Sequence, residues 1–295
     1  MNQSYQCLQV IVVDDGSQDN TLEIAKSFAE KYPFVEVYHQ ENKGVASARN
    51  KLISLAKGDY VLFVDSDDWI EKNMIECLLK TLDETQADIA VCGFIKESGG
   101  VATTCPIVNK EYVLEGAENV MKALLFHKEL NGSLCNKMVP REFYEGLTFR
   151  KDIWYGEDCL FFWQALNRGV DKICFMNECF YHYRMNNQSI SHEKFNFKKM
   201  SGHEVWKQIN RDVDFKWPSL QYIARATYVQ QDIMLLYYAA NAGYKCDDKL
   251  NEIRENVRKN IGFMKKAGMS NYHRLFLGYA LGYAYSFISM MIKHN

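Results

Sequence analysis

Apolar positions in this chain follow two patterns. VIVVDDGS at 10–17 and VLFVDSDDW at 61–69 are each a block of Val, Ile, Leu and Phe that ends in carboxylates. Unbroken apolar blocks of this length read as strands covered on both faces, the pattern of a parallel sheet. Between them the period becomes that of an amphipathic helix. Leu22, Ala25, Phe28, Ala29 and Tyr32 share a face, Asp19 or Asn20 can cap it, and Pro33 ends it. Val35 to Tyr38 reads as the next strand, 44–57 as a second helix, and Gly58-Asp59 as the turn into a strand at 60–64. A helix over 69–82 and a strand over 88–95 continue the alternation. Such alternation across short loops predicts an α/β fold with a mostly parallel, Rossmann-like sheet.

Beyond residue 96 the rhythm loosens. A helix at 116–127 precedes the polar stretch NGSLCNKM, a further helix opens at Gly156-Glu157-Asp158, and two strand-like runs follow, DKICFM and ECFYHYRM. From 195 the pattern is helical throughout, in segments at 195–213, 217–241, 247–267 and 271–292. The change of texture predicts two domains, 1–190 and 191–295. The last segment has two readings. Leu275 to Ile292 carries no charge, lies between Arg274 and Lys293, and places Gly278, Gly282 and Ser286 on one face. It either packs on the preceding helices or associates with a membrane.

With 47% hydrophobic and 24% charged residues, the chain has material for a sizeable core. A formal net charge of -2, from 35 basic and 37 acidic residues, argues against a general nucleic-acid binder, which needs a basic excess. Nine cysteines show no CxxC pair and no zinc spacing, and Cys77, Cys92, Cys159 and Cys174 lie in apolar stretches. This usage predicts a reducing cytoplasm and no disulfide framework. Met1 to Gln9 is short and polar, which reads as no signal peptide.

The acids at the strand ends carry the chemistry. Open α/β sheets bind ligands outside the carboxyl ends of their strands. Asp14, Asp15, Asp65, Asp67 and Asp68 near one crevice would repel one another. Each unscreened pair at about 4 Å costs roughly 4 kcal/mol at an effective dielectric near 20. A cation or a hydrogen-bond-donating ligand among them relieves that repulsion, so the cluster reads as a site.

Three motifs in order, VIVVDDGSQDNT at 10–21, ENKGVASARN at 41–50 and GDYVLFVDSDDW at 58–69, resemble the family-2 glycosyltransferases of the GT-A fold. CNKM at 135–138, GEDCLFF at 156–162 and YHYRMNNQSIS at 181–191 are similar to segments of bacterial members that build surface polysaccharides. The resemblance covers 5–190 and implies an inverting, metal-dependent enzyme. Such an enzyme moves one sugar from a nucleoside-diphosphate sugar, foremost a UDP-sugar, to a hydroxyl of a glycan or lipid-linked acceptor. The resemblance places Asp14, Asp15, Gly16 and Ser17 at the base and ribose, and Lys43 and Arg49 along the nucleotide pocket. Asp65-Ser66-Asp67 resembles the DxD motif that holds Mn²⁺ or Mg²⁺ against the two phosphates, with Asp67 as leading ligand and Asp65 at metal and ribose. Arg184 is implied at the diphosphate, Asp158 as general base, and Glu157 as the group that orients the acceptor. Plainer readings stand beside these. Asp19 only caps its helix, Asp68 caps a helix at Trp69, and Arg49 decorates a surface helix. His182 is a satisfied core histidine, and Glu157 and Asp158 merely favour a helix dipole.

Two rival functions share parts of this pattern. A haloacid-dehalogenase-type phosphatase also begins with a strand ending in DxD, but Trp69 stands where it has Thr or Val. Neither GxGxxG nor GxxxxGK[ST] occurs, nor QxxRW. The other rival is an inactive relative that only binds. Family members begin with a strand and an aromatic-Asn turn that clasp the base; the expectation here is a domain lacking its first strand and helix, with weakened donor affinity.

Overall fold

The computed structural model describes residues 2–126, 129–185, 194–244 and 247–267. These fall into two compact units, 2–152 with 156–185, and 153–155 with 194–267.

In the first unit, strand β1 (Val10–Asp14) leads through helix α1 (Thr21–Lys31) to β2 (Val35–His39), and α2 (Val45–Leu55) follows. β1 and β2 pair in parallel, from Val10 opposite Val35 to Asp14 opposite His39. Next come β3 (Tyr60–Val61), β4 (Trp69–Ile70), α3 (Met74–Thr85), β5 (Ile89–Ser98), β6 (Val101–Cys105) and β7 (Tyr112–Glu115). The unit closes with α4 (Ala117–Phe126), β8 (Lys137–Pro140), α5 (Glu157–Leu166) and β9 (Lys172–Arg184). A second sheet has the order β3-β8-β5-β9-β4, with β6 on β5 and β7 on β9.

This sheet is mixed rather than mostly parallel. β5 and β9 run parallel, whereas β3–β8, β4–β9, β5–β6, β5–β8 and β7–β9 are antiparallel. β5 turns back on itself at Gly99-Gly100 into β6, a hairpin that periodicity had not marked.

Three further expectations are corrected. The strand at 60–64 shortens to Tyr60–Val61, and among the described residues β1 pairs only with β2 and β3 only with β8. Each therefore keeps one unpaired edge among the described residues; Val10 to Val13 are half-buried, and Val64, beyond the end of β3, is 44% exposed. The helix expected at 69–82 begins at Met74, because Trp69 and Ile70 extend to pair with His182 and Tyr181. DKICFM and ECFYHYRM are one strand, β9.

The floor beneath the acid-bearing loop is well packed. α3 sets Met74, Leu78 and Leu82 against Ala90, Cys92, Met138, Met176 and Tyr181. Full burial of an apolar side chain of this size contributes roughly 1.5–3 kcal/mol. α1, by contrast, buries none of its residues, and Ile24 and Phe28 are exposed.

The second unit is helical: α6 (Ser201–Lys216), α7 (Gln221–Asn241), α8 (Asn251–Asn260) and α9 (Gly262–Lys266). Its core joins Val229, Leu235, Leu236, Ile253, Val257 and Met264. A polar network crosses that core, in which His203 Nδ1 donates to Asp232 Oδ1 at 2.8 Å and Asn256 Nδ2 to Asp232 Oδ2 at 2.7 Å. His203, Glu204 and Glu252 offer ligand atoms within 4.8 Å of one another, but Lys207 is already ion-paired to both glutamates. No helix among the described residues is long and apolar enough to cross a membrane. The segment expected at 271–292 lies outside the described residues.

Candidate active site

The first acid cluster is a tightly tied turn. Gly16 sits at φ +80°, where a Cβ would lie 2.8 Å from the backbone nitrogen of Asn42, so only glycine fits. Asp14 points inward, accepting from the Ser17 N–H at 3.3 Å and from His39 Nδ1 at 2.7 Å. Hydrogen bonds from Ser17 and then His39 hold its carboxyl below the ordinary carboxylate value. Asp15 accepts from Gln40 Nε2 at 2.7 Å, the Lys43 N–H at 2.9 Å and the Gly44 N–H at 2.8 Å. It thereby holds the 40–44 loop against the turn. Lys43 and Ser17 are exposed beside it. Asp19 accepts from the Thr21 N–H at 3.0 Å, which is the capping role read from sequence.

Arg49 is where the distant motifs meet. From α2 its Nη1 donates to Glu157 Oε1 at 2.6 Å and its Nη2 to Asp65 Oδ1 at 3.4 Å. The guanidinium also lies 5.8 Å from the Phe149 ring centroid. Asn50, next in sequence, fixes this region by exchanging hydrogen bonds of 2.9 and 2.7 Å with the Phe149 backbone. Burial disfavours the Arg49 charge, but Glu157, Asp158 and Asp65 outweigh it and raise its pKa. Arg49 is thus an interior cation, not a decoration on a surface helix.

Glu157 and Asp158 open α5, as the sequence places them. Burial, and then the charge of Asp158, push Glu157 up to about 7 against the pull of Arg49. Asp158 is half-buried, with Oδ1 accepting from the Cys159 N–H at 2.7 Å. Burial raises its carboxyl too, opposed by Arg49, the Cys159 N–H and Lys137. A pair of carboxylates pushed toward neutrality beside an arginine is suited to moving a proton.

The second acid cluster is anchored on β9. The Asp65 N–H donates to the Tyr181 hydroxyl at 3.0 Å, and that hydroxyl donates to Asp68 Oδ2 at 2.8 Å. The Arg184 N–H donates to Asp68 Oδ1 at 2.8 Å. Asp68 is therefore a tether for the loop and caps no helix. Asp67 is exposed and makes no hydrogen bond or ion pair with a described residue. Asp65 and Asp67 together offer hard oxygen donors, which suit Mn²⁺ or Mg²⁺ held by one or two carboxylates plus phosphate and water. Arg184 lays its guanidinium 5.3 Å from the Trp69 ring, which stacks on His182 at 4.8 Å. His182 lies between Glu97 at 2.9 Å and Glu71 at 3.0 Å, the satisfied histidine of the plainer reading. Tyr181 escaped the sequence reading. Its only signal is the alternation in CFYHYR, which turns it inward, away from the face of His182.

Comparison with known proteins gives the family. The Glycosyl transferase family 2 profile matches residues 1–147. Glycosyltransferase GlyG of Streptococcus pneumoniae is 31% identical over 66% of this chain and 67% of its own length. EpsH of Bacillus subtilis is 33% identical over 64% of this chain and 56% of its own. GlyA of S. pneumoniae is 31% identical over 92% of this chain but 36% of its own length, so the chain spans about half or less of these two relatives. Among solved structures, S. aureus TarS 1-349 in complex with UDP-GlcNAc matches with a TM-score of 0.58 at 18% identity, covering 96% of this chain and 86% of that one. The fold is that of a GT-A glycosyltransferase domain. The chain belongs to glycosyltransferase family 2.

Proposed function

We propose that this chain transfers one sugar, with inversion, from a nucleoside-diphosphate sugar to a hydroxyl of a glycan or lipid-linked acceptor in surface-polysaccharide synthesis. The observation that carries the reading is the Arg49 bridge, which draws Asp65 of the second acid cluster to the Glu157–Asp158 pair. Donor chemistry and acceptor chemistry then share one centre. The donor class is suggested by TarS, whose structures hold UDP and UDP-GlcNAc. The turn at Asp14, Asp15, Gly16 and Ser17, with Lys43, forms the nucleotide end, and Arg184 reaches the diphosphate.

Asp158 takes the proton from the acceptor hydroxyl as that oxygen attacks the anomeric carbon. The bond from that carbon to the diphosphate breaks on the opposite face, which inverts the centre. Glu157, whose carboxyl burial lifts to about 7, orients the acceptor by a hydrogen bond, donated by its protonated form below that value. Arg49 holds the pair in place and lowers the cost of ionising Asp158. Asp67 and Asp65 would hold Mn²⁺ or Mg²⁺, which when bound supplies positive charge to the departing diphosphate. The catalytic region is assigned to 1–190 and an accessory helical region to 191–295. Attachment to the inner face of the plasma membrane is assigned to the uncharged stretch at 275–292.

UDP release from UDP-GlcNAc and other UDP-sugars, measured with and without Mn²⁺, tests this. Asp158→Asn is expected to lower kcat by about 10²–10⁴-fold while UDP binding persists, the span a general base contributes. Asp67→Ala is expected to abolish the response to Mn²⁺. Turnover untouched by both substitutions would sink the assignment, and a chain that binds UDP but turns over no donor is the inactive binder.

A further inference from the structure

The segment at 131–137 is pressed onto the first turn of α5. A Cβ on Gly132 would lie 2.5–2.7 Å from Cβ, Sγ and Cα of Cys159, the residue after Asp158, so only glycine permits this approach. Lys137 closes the segment at the start of β8. Its side chain is buried, with 1% of the residue exposed. Nζ donates to the Ser133 carbonyl, to the Cys135 carbonyl at 3.2 Å, to Asn136 Oδ1 at 3.0 Å and to Asn131 Oδ1 at 3.5 Å. It also lies 5.2 Å from the Phe162 ring centroid, one turn along α5 from Asp158.

Every one of those contacts is neutral. A buried ammonium with no carboxylate in contact is costly, and a nearby anion is needed to offset it. Asp158 is the carboxylate whose charge favours the Lys137 ammonium, and Lys137 in turn favours the ionised Asp158. Asp158 is also faced by Arg49 from α2, by Asp65 from the acid loop and by its neighbour Glu157. Arg49 is shared among three carboxylates, and Lys137 adds a second, smaller positive influence on the base.

We propose that Lys137 is a positioning residue that acts through Asp158: it clamps 131–137 onto the start of α5 and keeps the Asp158 carboxylate ionised to receive the acceptor proton. The inference rests on the reading of Asp158 as general base.

The pH dependence of kcat/KM tests it. Lys137→Met is expected to move the acidic limb up by about one pH unit, the order expected for one removed charge. Lys137→Arg, which keeps the charge, is expected to leave the limb in place. A limb that stays put in Lys137→Met would overturn the proposal. A second measurement leaves Lys137 itself intact. In the full chain labelled with ¹³Cε-lysine, the Lys137 signal is expected to titrate with a midpoint of about 8, the value to which burial lowers it. Asp158→Asn is expected to lower that midpoint further, because coupling between two sites is reciprocal. An unchanged midpoint overturns the coupling. Full turnover in Asp158→Asn would instead end the general-base reading, and the lysine midpoint would still report whether the two groups interact.

Discussion

Glu157 is an acid held where its charge is disfavoured, and that has a consequence for stability. Its folded value of about 7 exceeds an ordinary glutamate value of about 4.3. The folded chain therefore holds a proton that the unfolded chain has released. This contribution is fully present below about pH 4 and is lost as pH rises through about 7. Thermal melts of the unliganded protein are expected to show a falling midpoint between pH 5 and 8. Glu157→Gln, neutral throughout, should flatten that slope. A slope unchanged by Glu157→Gln would place its source elsewhere. At this scale the sequence was informative about residue types and poor on directions. Asp65, Asp67, Glu157 and Asp158 could be picked out as candidates because acids at the ends of apolar strands, or in a first helical turn, stand out from the pattern around them. That Asp15 would hold the 40–44 loop, and Asp68 would turn to Tyr181, depended on partners far away in sequence.

β9 does for the acid loop what no short-range motif could. One strand provides the Tyr181 hydroxyl that joins Asp65 to Asp68, the Arg184 N–H that completes Asp68, and the edge on which Trp69 and Ile70 pair. Tyr181→Phe removes the hydroxyl while keeping the ring in its buried slot. The Asp65 N–H and one Asp68 oxygen would then lose their partner, at a cost of roughly 1–3 kcal/mol. A lower melting temperature together with a weaker Mn²⁺ response is the expected outcome. An unaltered Mn²⁺ response would show that the tether does not position Asp65. The helical period of α1 and the unbroken apolar run of β5 made these elements predictable from local pattern alone. β4, β6 and β7 were not, since two to five residues carry too little periodicity and their strand form comes from the neighbour they pair with. The half-burial of β1 has the same origin, because an apolar run reports the burial it prefers and the neighbours decide the burial it receives.

At the scale of the molecule, an α/β unit that carries the site accompanies a helical unit whose core is closed by its own residues, including the His203–Asp232–Asn256 network. The proposed transfer draws on no residue of α6–α9, so another contribution from 191–295 is to be sought. No described helix is long and apolar enough to cross a membrane; the uncharged stretch at 275–292 is flanked by Arg274 and Lys293 and preceded by Lys265 and Lys266. Basic residues bordering an apolar segment favour an anionic membrane surface, each by about 1 kcal/mol near that surface, and salt weakens the attraction. The full chain is expected to pellet with vesicles containing an anionic lipid, and a chain ending at residue 270 to stay in the supernatant. High salt should release part of the bound full chain, since the apolar contribution remains. Equal partition of the two chains would remove the membrane role and leave 275–292 as a segment that buries its apolar side chains within the protein.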